Sequence, residues 1–384
     1  MTITLRVSHC KGFIKSGGLC IGRPHKMEAL NRIVKNNKLK NWIVGRQFVI
    51  LQRKNNNKAM KMMKAMKTMM ALAMSIALMG CQEATNLDHS VKLIPENYYV
   101  DAEQQGTVVK MEYQTKLYDT DETITKYCYV YLPYGYEENG TQRYDILYFM
   151  HGGGSTAEKF LGGNDSISLN RKNLDHMIQD KLIKPMIVVT PSFYRNDIRE
   201  DSLPNAGTLV QLFPRELKED LMPAVEGKYR TFAKDTTPQG LQAAREHHAF
   251  SGFSMGGVTT WWVFAKAMDY FKFFIPLSGD CWLAETLGGS KASAATAKAL
   301  ADAIDTDKWK ANDYFVFALT GSEDMAEQSL TPQIEAMKAQ PPFIFDDNFK
   351  KGNAYYSVLE GGKHESSTFA PHYLYTALPE FFGR

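Results

Sequence analysis

The sequence predicts an α/β fold: one open, mostly parallel sheet of eight strands with helices on both faces. Three observations lead there. From Gly106 onward, short runs rich in apolar, β-branched and aromatic residues alternate with helical stretches. The later runs are continuous rather than alternating, as strands covered on both faces require. And 384 residues, 44% of them hydrophobic, can bury one large core.

In chain order, strands are expected at 107–117, 126–132, 144–150, 186–190, 248–252, 273–277, 314–319 and 355–359. Asp119-Thr120-Asp121 is a turn-forming group between the first two, which therefore read as an antiparallel edge hairpin. Helices are expected near 170–181, 214–227, 256–268, 292–304, 324–339 and 366–382. Residues 106–384 thus form a single domain, and 82–105 read as a tether leading into it.

The net charge of +3 conceals an asymmetry. Residues 1–67 hold 16 Lys and Arg and one acid, Glu28; removing these from the totals of 45 and 42 leaves 29 basic and 41 acidic residues, a net of −12. An acidic body argues against a nucleic-acid partner. Residues 58–67 (KAMKMMKAMK) form a basic start, and 69–79 an apolar stretch too short to span a bilayer. Gly80-Cys81 follows, so 60–81 read as an export signal. Leu78-Met79-Gly80-Cys81 is similar to a bacterial lipobox, which makes Cys81 the expected lipidation site and any membrane attachment an N-terminal lipid anchor. Met79 departs from that pattern, and a plain signal peptide is the alternative. Residues 1–59 carry no sustained apolar period; they read as a mis-called extension, with translation starting at Met60, Met62, Met63 or Met66, or else as a disordered basic arm.

The five cysteines show no CxxC and no Cys/His ligand spacing, so neither a structural zinc site nor a thioredoxin-type redox motif is expected. Cys128 and Cys281, the two in the body, read as buried free thiols, a disulfide between them being the alternative if the fold brings them together.

The chemistry centres on Gly252-Phe253-Ser254-Met255-Gly256, a G-x-S-x-G motif between an apolar run and a Trp-rich helical stretch. That strand–turn–helix setting is what a nucleophile elbow needs, with its serine raised above the sheet. A Gly-rich turn with a helix-capping serine is the bland alternative. Gly152-Gly153-Gly154 follow the third expected strand and His151. A Gly-rich loop there supplies one oxyanion donor and the residue after the serine supplies the other, so Gly153 N–H and Met255 N–H are chosen. No GK[ST] follows, which disfavours a phosphate cradle. His151 is expected to hold the loop rather than react.

The base must lie downstream of the serine in this fold, which leaves His364 and His372. His364 follows the last strand in Gly361-Gly362-Lys363-His364, whereas His372 falls inside the terminal helix, where packing is expected. His247 and His248 precede the elbow strand and read as solvated or capping residues. Asp324 is favoured as the acid, at the end of the seventh strand, with Asp280 as the rival and Glu323 behind it. Its task is to fix the histidine tautomer and stabilise the imidazolium.

Together, 129–133 with Gly135-Tyr136, 147–154, 183–191, 219–229 (EDLMPAVEGKY), the GFSMGG elbow and 276–282 (PLSGDCW) resemble carbohydrate esterase family 1 of the α/β-hydrolase superfamily. This group contains feruloyl and acetylxylan esterases and is related to S-formylglutathione hydrolases and mycolyltransferases. The resemblance covers nearly all of 106–384. It implies an α/β-hydrolase fold and hydrolysis of hydroxycinnamoyl or acetyl esters on plant arabinoxylan, without metal or organic cofactor. Its partners would be feruloylated or acetylated cell-wall oligosaccharides. A feruloyl ring needs an apolar slot, for which Phe160, Phe193, Tyr194, Met255 and Trp282 are candidates, core packing being the alternative for each. Two further readings remain open: a short-acyl esterase with the same triad, and a non-catalytic carbohydrate-binding lipoprotein on a decayed esterase fold.

Overall fold

The computed structural model describes residues 91–163, 166–195, 203–346, 348 and 351–383. Residues 1–81, with the signal and Cys81, lie outside the described residues. Eight strands form one sheet: β1 (Thr107–Lys116), β2 (Thr123–Leu132), β3 (Asp145–Met150), β4 (Met186–Thr190), β5 (His248–Phe253), β6 (Phe273–Leu277), β7 (Phe315–Gly321) and β8 (Ala354–Leu359). Their order is β1-β2-β4-β3-β5-β6-β7-β8. β2 pairs antiparallel with both β1 and β4, and the remaining pairs are parallel.

Burial explains the two strand styles. In β1 the side chains of Met111, Tyr113 and Thr115 alternate inward while the intervening residues are exposed, so this edge strand has one wet face. β3, β4, β5 and β6 are buried at every position. The pleat then sends successive residues to opposite cores: Ile146, Tyr148 and Met150 to one, Leu147 and Phe149 to the other. Helices α1 (Leu169–Gln179) and α7 (Ser366–Phe382) cover the second face. The first is covered by α2 (Leu203–Glu216), α3 (Met222–Lys228), α4 (Met255–Ala267), α5 (Ser293–Asp302) and α6 (Glu327–Met337).

Three expectations need correction. The helix expected at 214–227 begins at Leu203, because Pro214 lies inside α2 rather than at its start, and α2 runs through a π-helical turn, Leu217–Leu221, into α3. The described part of the supposed tether is a packed strap. Val91, Ile94, Tyr98 and Ala102 are buried, Tyr98 stacks on His176 at 4.4 Å, and its hydroxyl donates to Asp180. Ile94 N–H donates to His372 Nδ1 at 3.0 Å, so His372 packs, as its helical position implied. Finally, His248 is wholly buried, with Nδ1 against Tyr270 O at 2.8 Å. Cys128 and Cys281 are buried and free.

Candidate active site

Ser254 stands between β5 and α4 with φ +58° and ψ −116°, a strained conformation for a residue with a side chain. The turn is held by Ser254 N–H to Leu277 O and by Val258 N–H to Ser254 O. Its glycines are steric necessities: a Cβ on Gly256 would sit 2.0 Å from Met150 O, and one on Gly252 would sit 2.5 Å from Gly256 O. Strand and helix therefore meet backbone to backbone, which lifts the hydroxyl to the carboxyl end of the sheet.

His364 Nε2 lies 2.8 Å from Ser254 Oγ, and its Nδ1 lies 2.7 Å from Asp324 Oδ1. A carboxylate only accepts, so Nδ1 carries the proton and Nε2 accepts from the serine hydroxyl. The loops after β7 and β8 are laced together. Ser322 N–H donates to Leu359 O, Glu323 N–H to Gly362 O, and Gly361 N–H to Ser322 Oγ. That lacing sets Asp324 against His364 across 40 positions of sequence. Asp324 is buried, and the same Oδ1 accepts from Ala326 N–H at 2.7 Å. His364 is more open and rests on the Phe253 ring at 4.9 Å.

Asp280 takes no part in this chain. Its Oδ1 accepts from Trp282 Nε1 and its Oδ2 from Gly289 N–H, and burial pushes its carboxyl above the ordinary range. It lines a cleft of about 580 Å³ with Gly153, Ser254, Met255, Trp282, Met325 and His364. Gly153 and Met255, the chosen oxyanion donors, thus share the cleft with the serine, and neither N–H has a backbone acceptor among the described residues.

Of the expected slot residues, Trp282 and Met255 line the cleft, but Phe160, Phe193 and Tyr194 do not. Phe160 stacks on Phe149 at 3.7 Å; Phe193 and Tyr194 are buried against the His151 ring. Phe193 and Tyr194 pack beneath the Gly-rich loop through His151, and Phe160 packs on β3, so all three are core rather than cleft wall, the alternative the sequence left open. The rest of the wall comes from Leu287, Ser290, Met325, Ala326, Gln328 and Ser329, which sequence reasoning missed. Met325, an apolar residue directly after the acid Asp324, was the available signal, and the structure leaves it 70% exposed at the cleft.

A serine, histidine and aspartate in hydrogen-bonded series at the carboxyl ends of a sheet in this strand order define the α/β-hydrolase class. The family model described as a putative esterase matches residues 125–374. The chain is 42% identical over 289 residues to endo-1,4-beta-xylanase Y of Acetivibrio thermocellus, covering 75% of this chain and 24% of that protein. It thus spans about a quarter of the length of this curated relative. A feruloyl esterase module of Clostridium thermocellum, solved as a serine-to-alanine mutant complexed with sinapinate, superposes with a TM-score of 0.66 at 40% identity. That match covers 76% of this chain and 94% of the module. A ferulic acid esterase of carbohydrate esterase family 1 from Anaeromyces mucronatus shares the fold at 19% identity, with a TM-score of 0.58 over 77% of this chain and 97% of that one. The chain belongs to this esterase family, as the resemblance to carbohydrate esterase family 1 implied.

Proposed function

We propose that this protein is a feruloyl esterase, releasing hydroxycinnamate from feruloylated plant cell-wall oligosaccharides. The observation that carries the reading is the Ser254–His364–Asp324 chain opening on an apolar cleft rimmed by Trp282 and Met325. Ser254 Oγ attacks the ester carbonyl as His364 Nε2 takes its proton, forming a tetrahedral oxyanion received by Gly153 and Met255 N–H. His364 returns the proton to the departing sugar oxygen, leaving an acyl-serine. Water activated by the same imidazole attacks the acyl-serine, and ferulate departs as Ser254 regains its proton. The cleft's size suits a substituted phenyl ring and exceeds what an acetyl group would fill.

A substrate panel tests this. Methyl ferulate should be turned over with higher kcat/KM than acetylated xylan or p-nitrophenyl acetate, and Ser254→Ala should abolish all three activities. Preference for acetyl esters would overturn the substrate assignment, and activity surviving in Ser254→Ala would overturn the mechanism.

We further propose that the protein is exported and anchored through lipidated Cys81, a reading supported by the basic start, the short apolar stretch and Gly80-Cys81. Intact mass of membrane-extracted protein should show a diacylglyceryl adduct on Cys81, and its absence would refute the anchor.

A further inference from the structure

Lys126 lies on β2 in phase with the buried Ile124, Cys128 and Val130, so its ammonium enters the core. It meets Glu216, at the end of α2, at 2.7 and 2.9 Å. Side-chain exposures are only 5% and 9%. Tyr113, the cross-strand partner of Lys126 on β1, donates its hydroxyl to the same carboxylate at 2.6 Å. The remaining Lys126 donor goes to Ser192 O at 2.7 Å, just beyond β4. A desolvated ion pair is a poor source of net stability, so its contacts invite a positional explanation.

Two routes lead from Ser192 to the Gly-rich loop. His151 Nδ1 lies 2.8 Å from Gly152 O, and a carbonyl only accepts, so Nδ1 is the donor. Burial pushes the imidazole pKa down to about 4, so the ring is neutral and Nε2 is left as an acceptor. The Ser192 hydroxyl, 2.8 Å away, therefore donates to Nε2 while accepting from Tyr194 N–H at 3.1 Å. By the second route, Tyr194 OH accepts from Gly154 N–H at 2.7 Å. The two peptide groups flanking Gly153 are thus each held from below, one by His151 and one by Tyr194.

We propose that the Lys126–Glu216 pair, acting through Ser192, and the Tyr194 hydroxyl, acting directly on Gly154 N–H, are positioning elements that aim Gly153 N–H at the developing oxyanion. None of them touches substrate; they act through the loop. The inference rests on the proposed hydrolysis through Ser254, but not on which acyl group is hydrolysed.

The test compares Tyr194→Phe and the neutral double variant Lys126→Met/Glu216→Gln with wild type. Tyr194→Phe keeps the ring packed on Phe193 and removes only the acceptor. Readouts are kcat and KM with p-nitrophenyl acetate, the affinity of an aryl boronic acid whose tetrahedral adduct on Ser254 occupies the oxyanion hole, and thermal unfolding. Losing an oxyanion donor outright costs roughly 100-fold or more in kcat, so misaiming one should cost each variant about 10-fold. Boronate affinity should fall by the same factor, with KM and ferulate binding within about 2-fold. Unchanged kcat, unchanged boronate affinity, or a loss matching only the unfolded fraction would overturn the proposal. Parallel losses of kcat and boronate affinity, with no turnover of feruloyl esters by wild type, would uphold the positioning role and remove only the substrate assignment. A wild-type enzyme that does not bind the boronate would overturn both.

Discussion

Replacing each candidate acid by its amide separates Asp324 from Asp280 and measures what the triad carboxylate contributes. In Asp324→Asn the amide orientation is set by Ala326 N–H, which donates to Oδ1 and would clash with an NH2 group there. The Asn oxygen therefore stays where Oδ1 was and still accepts from His364 Nδ1, so the histidine keeps its tautomer. The negative charge is lost, and the NH2 takes the place of the buried Oδ2, which has no hydrogen-bond partner among the described residues. With charge centres about 4 Å apart and an effective dielectric of about 20, that charge stabilises the imidazolium by about 4 kcal/mol. The expected fall in kcat is about 10³-fold. Asp324→Ala also removes the orienting bond and should fall further, by about 10⁴-fold. Asp280→Asn keeps an oxygen for one of its two donors and does not touch His364, so kcat should drop by less than about 10-fold. The assay is steady-state turnover of methyl ferulate at pH 8, with unfolding followed by circular dichroism to confirm equal folded fractions. A greater loss in Asp280→Asn than in Asp324→Asn would refute the reasoning.

Three further outcomes are expected. The buried His151 has its pKa lowered from 6.5 to about 4, so between those values the unfolded chain binds a proton that the folded one does not. Its contribution is fully present above pH 6.5 and is lost as pH falls towards 4, on the order of 3 kcal/mol in all; urea unfolding across this range should show the slope in wild type and lose that part of it in His151→Gln. Gly256→Ala should not yield folded enzyme, because its Cβ has no room beside Met150 O, as expression and circular dichroism would show. Trp282→Leu should raise KM for methyl ferulate by about 10-fold, the worth of one good aromatic contact, while changing p-nitrophenyl acetate kinetics little.

Much of this architecture was legible in the sequence because its signals are local. Continuous apolar runs mark strands covered on both faces, and all eight lie within a few residues of their expected positions. Ser254 and His364 were legible because each occupies a glycine-bearing turn at a strand end. Asp324 was harder to tell from Asp280, since both follow neighbouring strands. What separates them is the close approach of Gly321 to Gly362, where a Cβ would meet a carbonyl at 2.1 Å, and that contact crosses two loops. The oxyanion loop's support was illegible for the same reason. Lys126 and Glu216 are 90 residues apart, and only the lysine's phase within an apolar strand hinted at burial. Phe160, Phe193 and Tyr194 were near the right loop but on its underside, a distinction that composition cannot make.

The central claim is that Ser254 carries the acyl group between two half-reactions. Acid quenching during turnover of p-nitrophenyl ferulate, followed by peptide mass mapping, tests it most directly. One feruloyl group should appear on the peptide containing Ser254, accumulate with a burst of p-nitrophenol, and be absent from Ser254→Ala. A feruloyl adduct on another residue, or turnover without any adduct or burst in a reaction limited by deacylation, would contradict it.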